Sequence, residues 1–271
     1  GSLLGNYTVG TSNVVVGNTA GDSLQSGSNY NVLVGDAAGT AITTGVRNVL
    51  LGYAAGDSLT DADYNVAVGY DSLAIDTLGS KAVALGYAAL STQNFTSATD
   101  NFNTAVGFAA GSSVTTGTDN TIVGGLAGDA STTGAGNTFI GKEAGTSNTT
   151  GGDNVAVGKG SLKTNTTASN NIAIGKDALE LNTTGAANVA IGNFALDSNT
   201  TANDNVAIGH DALQANTTGA LNTAVGTSAL GANTTADSNN AFGRRALYTN
   251  TTGSQNTALG YLALYLNTTA S

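Results

Sequence analysis

Residues 188–204 read NVAIGNFALDSNTTAND, and this seventeen-residue unit is copied along the chain. The glycine that follows its apolar triplet recurs at Gly17, Gly35, Gly52, Gly69, Gly86, Gly107, Gly124, Gly141, Gly158, Gly175, Gly192, Gly209, Gly226, Gly243 and Gly260. From Gly35 onward every interval is 17 residues except Gly86 to Gly107, which is 21, so four residues are inserted within 94–101. Leu3-Leu4-Gly5 reads as the remnant of another unit.

With the opening Asn as position one, Asn stands there in 14 of 15 units, Ala82 being the exception, and position five is always Gly. A few alternating residues with β-branched side chains, closed by Gly, form a short strand ended by a turn. Gly, Asn and Thr-Thr recur too often for a helix interior. A unit this short cannot bury an apolar face alone, but stacked on its copies it closes a continuous core. The fold expected is therefore all-β, a parallel β-solenoid (β-roll) of about fifteen 17-residue coils, one repeat domain over 1–271. Each coil would rise by about 4.8 Å. Identical positions then form ladders: Asn154, Asn171, Asn188 and Asn205 as stacked amides, and Gly158, Gly175, Gly192 and Gly209 where a tight corner needs positive φ.

The filling of the core offers a check. Later units carry Leu at position nine and Asn at twelve (Leu179 with Asn182, Leu196 with Asn199), whereas earlier ones reverse this (Gly39 with Ile42, Gly56 with Leu59, Gly111 with Val114). One large side chain per coil would fill the same space from either side. Gly128 and Gly145 lack an apolar residue at twelve and mark an expected looser stretch.

Composition narrows the function. The 271 residues include 38 Gly, no Pro, Cys, Met or Trp, 8 basic and 18 acidic residues. Without cysteine there is no disulfide framework, thiolate metal site or cysteine nucleophile. An acidic balance with scattered cations offers no basic stripe for nucleic acid, and no stretch reaches the apolar length of a membrane span. No metal or cofactor motif occurs, and the clustered acids and bases of an enzyme are missing from the repeat. The chain starts without Met and ends in register at Asn267-Thr268-Thr269, so it is expected to be a fragment of a longer fibre or a segment that stacks end to end into a filament.

Strand alternation with Val189 and Ile191 facing inward would turn Ala190 outward. The alanines at position three (Ala156, Ala173, Ala190, Ala207, Ala224) are then a candidate chain–chain interface, since small apolar files suit close approach by another copy. The alternative is a narrow coil that admits only Ala there, inside one chain.

The strings NVAVG (154–158), NIAIG (171–175) and NVAIG (188–192, 205–209) resemble the head repeat of YadA-like trimeric autotransporter adhesins, and related repeats occur in trimeric phage tail fibres. The similarity runs along essentially the whole chain, weakest before Asn65 and in the insertion. It implies a left-handed β-roll, a homotrimer about the long axis, display outside the cell on a cell surface or virion fibre, and attachment to host or environmental surfaces. The long second half of each unit, with its N-T-T-G turn, departs from the family's shorter coil and leaves the cross-section and trimer contact open.

Tyr53, Tyr70, Tyr87 and Phe108 fall at position six of successive units and form an aromatic file, flanked by Tyr30, Tyr64 and Phe102 just before their Asn. It is a candidate ligand or partner contact, able to stack sugar rings; the competing reading is stacking between coils. Lys142, Lys159 and Lys176 make a basic file that would discourage sideways association. The lone histidine, His210, stands at variable position six beside Asp211 and is expected to be exposed. The N-T-T runs at Asn165, Asn182, Asn199, Asn216, Asn233, Asn250 and Asn267 match a glycosylation pattern as a by-product of one copied turn. The function expected is a non-enzymatic structural and adhesive fibre segment, with a ligand-binding platform for glycan or ice as the alternative; in the ice reading only the Asn and second Thr of each run would share a face.

Overall fold

The computed structural model describes residues 10–270, and among these no residue is helical. The Leu3-Leu4-Gly5 unit lies outside the described residues. The chain is an all-β parallel β-solenoid with coils of about 17 residues, divided into two compact units at Gly136/Asn137. In the first unit the strands are β1 (Val14–Val16), β2 (Val32–Val34), β3 (Val49–Leu51), β4 (Val66–Val68), β5 (Gly79–Ser80), β6 (Val83–Leu85), β7 (Thr99–Asp100), β8 (Thr104–Val106) and β9 (Thr121–Val123). In the second they are β10 (Thr138–Ile140), β11 (Val155–Val157), β12 (Ile172–Ile174), β13 (Val189–Ile191), β14 (Val206–Ile208), β15 (Thr223–Val225), β16 (Asn240–Phe242) and β17 (Thr257–Leu259). The rungs pair in parallel with like positions opposed, for instance Val49 with Val66 and Val155 with Ile172. Outside the strands the ladder continues through single bonds between coils, such as Thr183 N–H to the Thr200 carbonyl at 2.8 Å and Leu196 N–H to Ala212 at 3.0 Å.

Two backbone positions explain the glycine pattern. At position five φ is near +136° in Gly158, Gly192 and Gly209, and a Cβ on Gly192 would lie 2.6 Å from the carbonyl carbon of Gly209 in the next coil. Only glycine fits so close a backbone approach. Position nine is left-handed throughout, whether it holds Gly39 (φ 58°) or Leu196 (φ 51°). A leucine there costs about 1–2 kcal/mol in backbone strain, which its burial, about 1.5–3 kcal/mol, offsets.

The strand faces are the reverse of the sequence expectation. The central residue of each rung points inward: Ala156, Ala173, Ala190, Ala207 and Ala224 are all 0% exposed, while the residues on either side of them are half-buried or exposed. These alanines are therefore core residues and not a chain–chain interface. The reason is volume: where Leu fills position nine, the lumen has room for only a methyl at position three.

The compensation is accordingly three-way. In the first unit Leu33 and Leu50 at position three accompany Gly39 and Gly56 at nine, with Ile42 and Leu59 at twelve; all four large side chains are fully buried. A Cβ on Gly39 would meet Ile42 Cδ1 at 2.8 Å and Leu50 Cδ1 at 2.9 Å. The stretch expected to be loose is filled in the same way. Ile122 shares its coil with Gly128, and Phe139 shares its coil with Gly145, whose Cβ would meet the phenyl ring at 2.7 Å.

Buried amides close each circuit. Asn205 Nδ2 donates to the Gly219 carbonyl of its own coil at 2.9 Å, and its N–H donates to Asn188 Oδ1 at 3.0 Å. The same ladder links Asn154 Oδ1 to Asn171 N–H and Asn171 Oδ1 to Asn188 N–H, both at 3.0 Å. A second ladder runs at position twelve in the second unit, with Asn199 Nδ2 donating to Asn182 Oδ1 at 2.8 Å and to the Ala202 carbonyl at 3.1 Å. Each inward amide thus has partners, without which its burial would cost about 1–3 kcal/mol.

The two irregularities of the repeat compensate one another. Ala82 has no side-chain oxygen to receive the next opening N–H, and the inserted segment supplies one: Asn103 N–H donates to Asn101 Oδ1 at 3.0 Å. Asn101 is held by donating to the Ser80 carbonyl at 2.8 Å. Inside, Asn103 Nδ2 donates to Gln93 Oε1 at 2.8 Å, and Gln93 Nε2 donates to the buried Asp76 carboxylate at 2.7 Å. Asp76 also accepts the Gly79 N–H of its own coil and the Phe95 N–H at the start of the insertion, which ties the entry of the detour to the core. β6 pairs with β8 across it, Val83 opposite Thr104, and β5 pairs with β7.

Candidate functional site

Because position three turns inward, positions two and four turn outward. Every rung therefore presents two mostly β-branched or apolar side chains on one outer face. Val189 and Ile191, Val206 and Ile208, and Ile172 and Ile174 belong to this face in the second unit; Ile172 and Ile174 are 36% and 38% exposed even with their neighbours stacked in register. In the first unit Val49 and Leu51, Val66 and Val68, and Val83 and Leu85 occupy the same places and are half-buried. Among the described residues each unit thus leaves a mostly apolar strand face uncovered.

Two columns flank this face, position six on one side and position seventeen on the other. In the first unit position six is the aromatic file. Tyr53, Tyr70, Tyr87 and Phe108 stack at ring-centroid separations of 5.0, 5.5 and 5.1 Å with interplanar angles of 17°, 11° and 9°. The rings spend their faces on each other, so a sugar would meet ring edges; stacking between coils is what the geometry shows. The Asp71 carboxylate beside Tyr70 pushes its phenol above the usual range. The last residue of each coil, position seventeen in the regular units, alternates aromatic and cation from Tyr30 to Phe102. The Arg47 guanidinium lies over Tyr30 at 5.5 Å and over Tyr64 at 5.2 Å, donates to the Tyr64 hydroxyl at 2.9 Å, and is followed by Lys81 over Phe102 at 5.1 Å. The sequence reading singled out these three aromatics but not the cations between them. The seventeen-residue spacing carried that signal.

In the second unit position six begins with the lysine file. Lys142 pairs with Glu143 at 3.1 Å and Lys176 with Asp177 at 3.2 Å, while Lys163 reaches Glu143 at 3.2 Å. These contacts, that with Lys142 foremost, hold Glu143 below the usual carboxylate range and raise Lys163. His210 is exposed; it contacts Asp211 at 2.8 Å and meets the edge of Phe194 at 5.9 Å, and Lys176 sits 4.7 Å over the Phe194 ring. Behind these columns lies a carboxylate group in a less polar setting. Burial, and then repulsion from Glu180, Asp177 and Asp211, pushes Asp197 up to about 6.

The remaining candidates divide by exposure. Asn165, Asn182, Asn199, Asn216, Asn233 and Asn250 are 0% exposed, so the glycosylation pattern at these positions is sealed within the folded coil. For the same reason the Asn and the second Thr do not share a face: Asn182 points inward, Thr183 donates to the next coil at 3.0 Å, and Thr184 faces solvent. The insertion creates a cleft of about 620 Å³ lined by Asp61, Asp63, Leu78, Ser80, Ala98, Thr99 and Asp100, which the sequence reading did not identify. Its carboxylates are engaged locally. Thr44 and Thr43 donate to Asp61 and hold it below the usual range, Asp63 accepts the Val46 N–H at 2.7 Å, and Asp100 pairs with Lys81. Among the described residues no group of three His, Asp or Glu side chains that could hold a metal ion occurs. No helix among them is long and apolar enough to cross a membrane.

The chain matches no family model, no curated protein and no solved structure, so its own geometry is what bears on function.

Proposed function

We propose that this chain is a structural and adhesive segment of an extracellular fibre, non-enzymatic, that associates with further copies of itself through the outward strand face. The observation that carries the reading is that face: Val, Ile and Leu at positions two and four are exposed or half-buried in repeated coils of both units. Burying apolar surface contributes about 25 cal/mol per Å², and repetition multiplies the gain without a new contact type. The resemblance of the NVAIG strings to YadA-like heads sets the expected number of copies at three and the expected role as attachment to a host or environmental surface.

Light scattering at several concentrations tests the reading. The mass should correspond to several chains, and Val189→Lys with Ile191→Lys on the outward face should reduce it toward one chain without loss of β-structure. A wild-type mass of one chain at all concentrations defeats the proposal. A second reading, a ligand platform for ice or glycan, is supported by the exposed threonines Thr167, Thr184, Thr201 and Thr218 on successive coils. Thermal hysteresis or a glycan-array signal that is lost in Thr184→Lys and Thr201→Lys would favour it.

A further inference from the structure

Nine tyrosines stand in a chain that has no Cys, Met or Trp and a single His. Thiols and thioethers are the usual first targets of oxidants, and indole, the other easily oxidised group, is also absent, so oxidising equivalents fall on the phenols. The fold sets five of these phenols ring against ring. Tyr53, Tyr70 and Tyr87 occupy successive coils of the first unit at centroid separations of 5.0 and 5.5 Å. Tyr248 and Tyr265 repeat the arrangement within the second unit at 5.5 Å, with 6° between the ring planes. The backbone fixes each pair at the residue itself. The Tyr53 carbonyl accepts the Asp71 N–H at 3.0 Å, the Tyr70 carbonyl accepts the Ala88 N–H at 2.9 Å, and the Tyr265 carbonyl accepts the Thr249 N–H at 3.2 Å. Tyr53, Tyr70 and Tyr87 are each about half exposed, and Tyr248 and Tyr265 are half-buried. The other described tyrosines have no tyrosine neighbour: Arg47 lies between Tyr30 and Tyr64, and Arg244 lies over Tyr261.

We propose that the stacked tyrosines are a site of oxidative cross-linking, at which hydrogen peroxide acting through a haem peroxidase joins neighbouring coils of one chain by dityrosine bonds. Each of two phenols gives one electron to the oxidised haem and its hydroxyl proton to solvent. The two phenoxyl radicals combine through ring carbons ortho to oxygen and form one carbon–carbon bond. The hydrogen on each of those carbons then moves to oxygen, which restores both phenols. Two hydrogens leave the protein for each bond, and one peroxide is reduced to two waters. Partial exposure lets the rings turn from face to face to edge to edge as the bond forms. Holding the partners in contact raises their effective concentration far above that of phenols on separate chains. The bond closes a loop of one coil and so constrains the unfolded chain as a disulfide does elsewhere; this chain has no cysteine to make one. The proposal does not depend on self-association.

Dilute protein treated with peroxide and a haem peroxidase tests it, read by dityrosine fluorescence, denaturing gel and mass mapping of the digested chain. Tyr53–Tyr70 or Tyr70–Tyr87, and Tyr248–Tyr265, should be joined within single chains. These bonds should exceed those to Tyr30, Tyr64 or Tyr261 by about tenfold, and the preference should be lost when the chain is oxidised in urea. Tyr70→Phe keeps the stack but should abolish the bond in the first unit, because Tyr53 and Tyr87 stand two coils apart, while Tyr248–Tyr265 persists. The cross-linked chain should unfold at a higher denaturant concentration than the untreated one. Tyrosines used without preference, bonds formed mainly between chains, or no dityrosine at all would overturn the proposal.

Discussion

Coils 31–64 and coils 171–255 have the same period and corner glycines but opposite interiors. In the first pair Leu33 and Leu50 enter the lumen from the strand, Ile42 and Leu59 enter from the far side, and Gly39 and Gly56 stand where a side chain would collide. In the second set the strand contributes only Ala173, Ala190, Ala207, Ala224 and Ala241, position nine contributes Leu, and position twelve contributes an amide ladder. The comparison shows that the coil conserves a lumen volume and not a residue at a position. Left-handed φ at position nine is common to both sets, so the backbone accepts either filling.

The sharpest way to break this comparison is to exchange the fillings within one coil. Phe139→Ala should cost about 3–5 kcal/mol by leaving a cavity, and Gly145→Leu alone should destabilise by at least about 1–3 kcal/mol because it drives a side chain into the ring. The double variant Phe139→Ala/Gly145→Leu, which writes in the common filling, should recover most of the loss in denaturant unfolding. If its cost equals the sum of the two, the volume argument fails. Next in size is the amide ladder. Asn199→Leu leaves Asn182 Oδ1 without its donor and takes from Asn216 Nδ2 one of its two acceptors, for about 1–3 kcal/mol. The reciprocal Ile42→Asn places an amide where the coils on either side carry leucine at twelve, and should cost at least as much.

A smaller effect separates the units by pH. Asp197 titrates near 6 in the folded chain against 3.8 ordinarily. Between those values the folded state holds a proton that the unfolded state has released, so the Asp197 contribution to stability falls as pH rises from about 4 through about 6. Asp197→Asn should raise stability at pH 7.5 by about 1 kcal/mol, allowing for solvent screening, and the gain should vanish near pH 4. Thermal melts across that range check it. The smallest expected change is Tyr70→Thr in the first unit, which removes two exposed ring contacts for about 0.5–1 kcal/mol; Tyr70→Phe should cost little if stacking, and not the hydroxyl, is what the file contributes.

The coil, its parallel stacking and the opening amide ladder were legible in the sequence because each depends on identical residues at a fixed interval. The direction of the strand faces was not. A three-residue rung alternates in either sense, and the pattern Val-Ala-Ile fits an apolar interior as readily as an apolar exterior. The aromatic file was legible as a column, but its use was not, since only ring separations show that Tyr53, Tyr70, Tyr87 and Phe108 face each other. Ala82 and the insertion each stood out, yet their link through Asn101 needed the fold, because the two positions are 19 residues apart in sequence and adjacent in space.

By itself, the sequence determined that one short circuit is repeated and that like residues stack, since period and glycine spacing are properties of the string. Tertiary structure decided which side chains fill the lumen and which remain outside it. That choice is set by the volume available within a closed coil, and the volume exists only once position three, position nine and position twelve have been brought together.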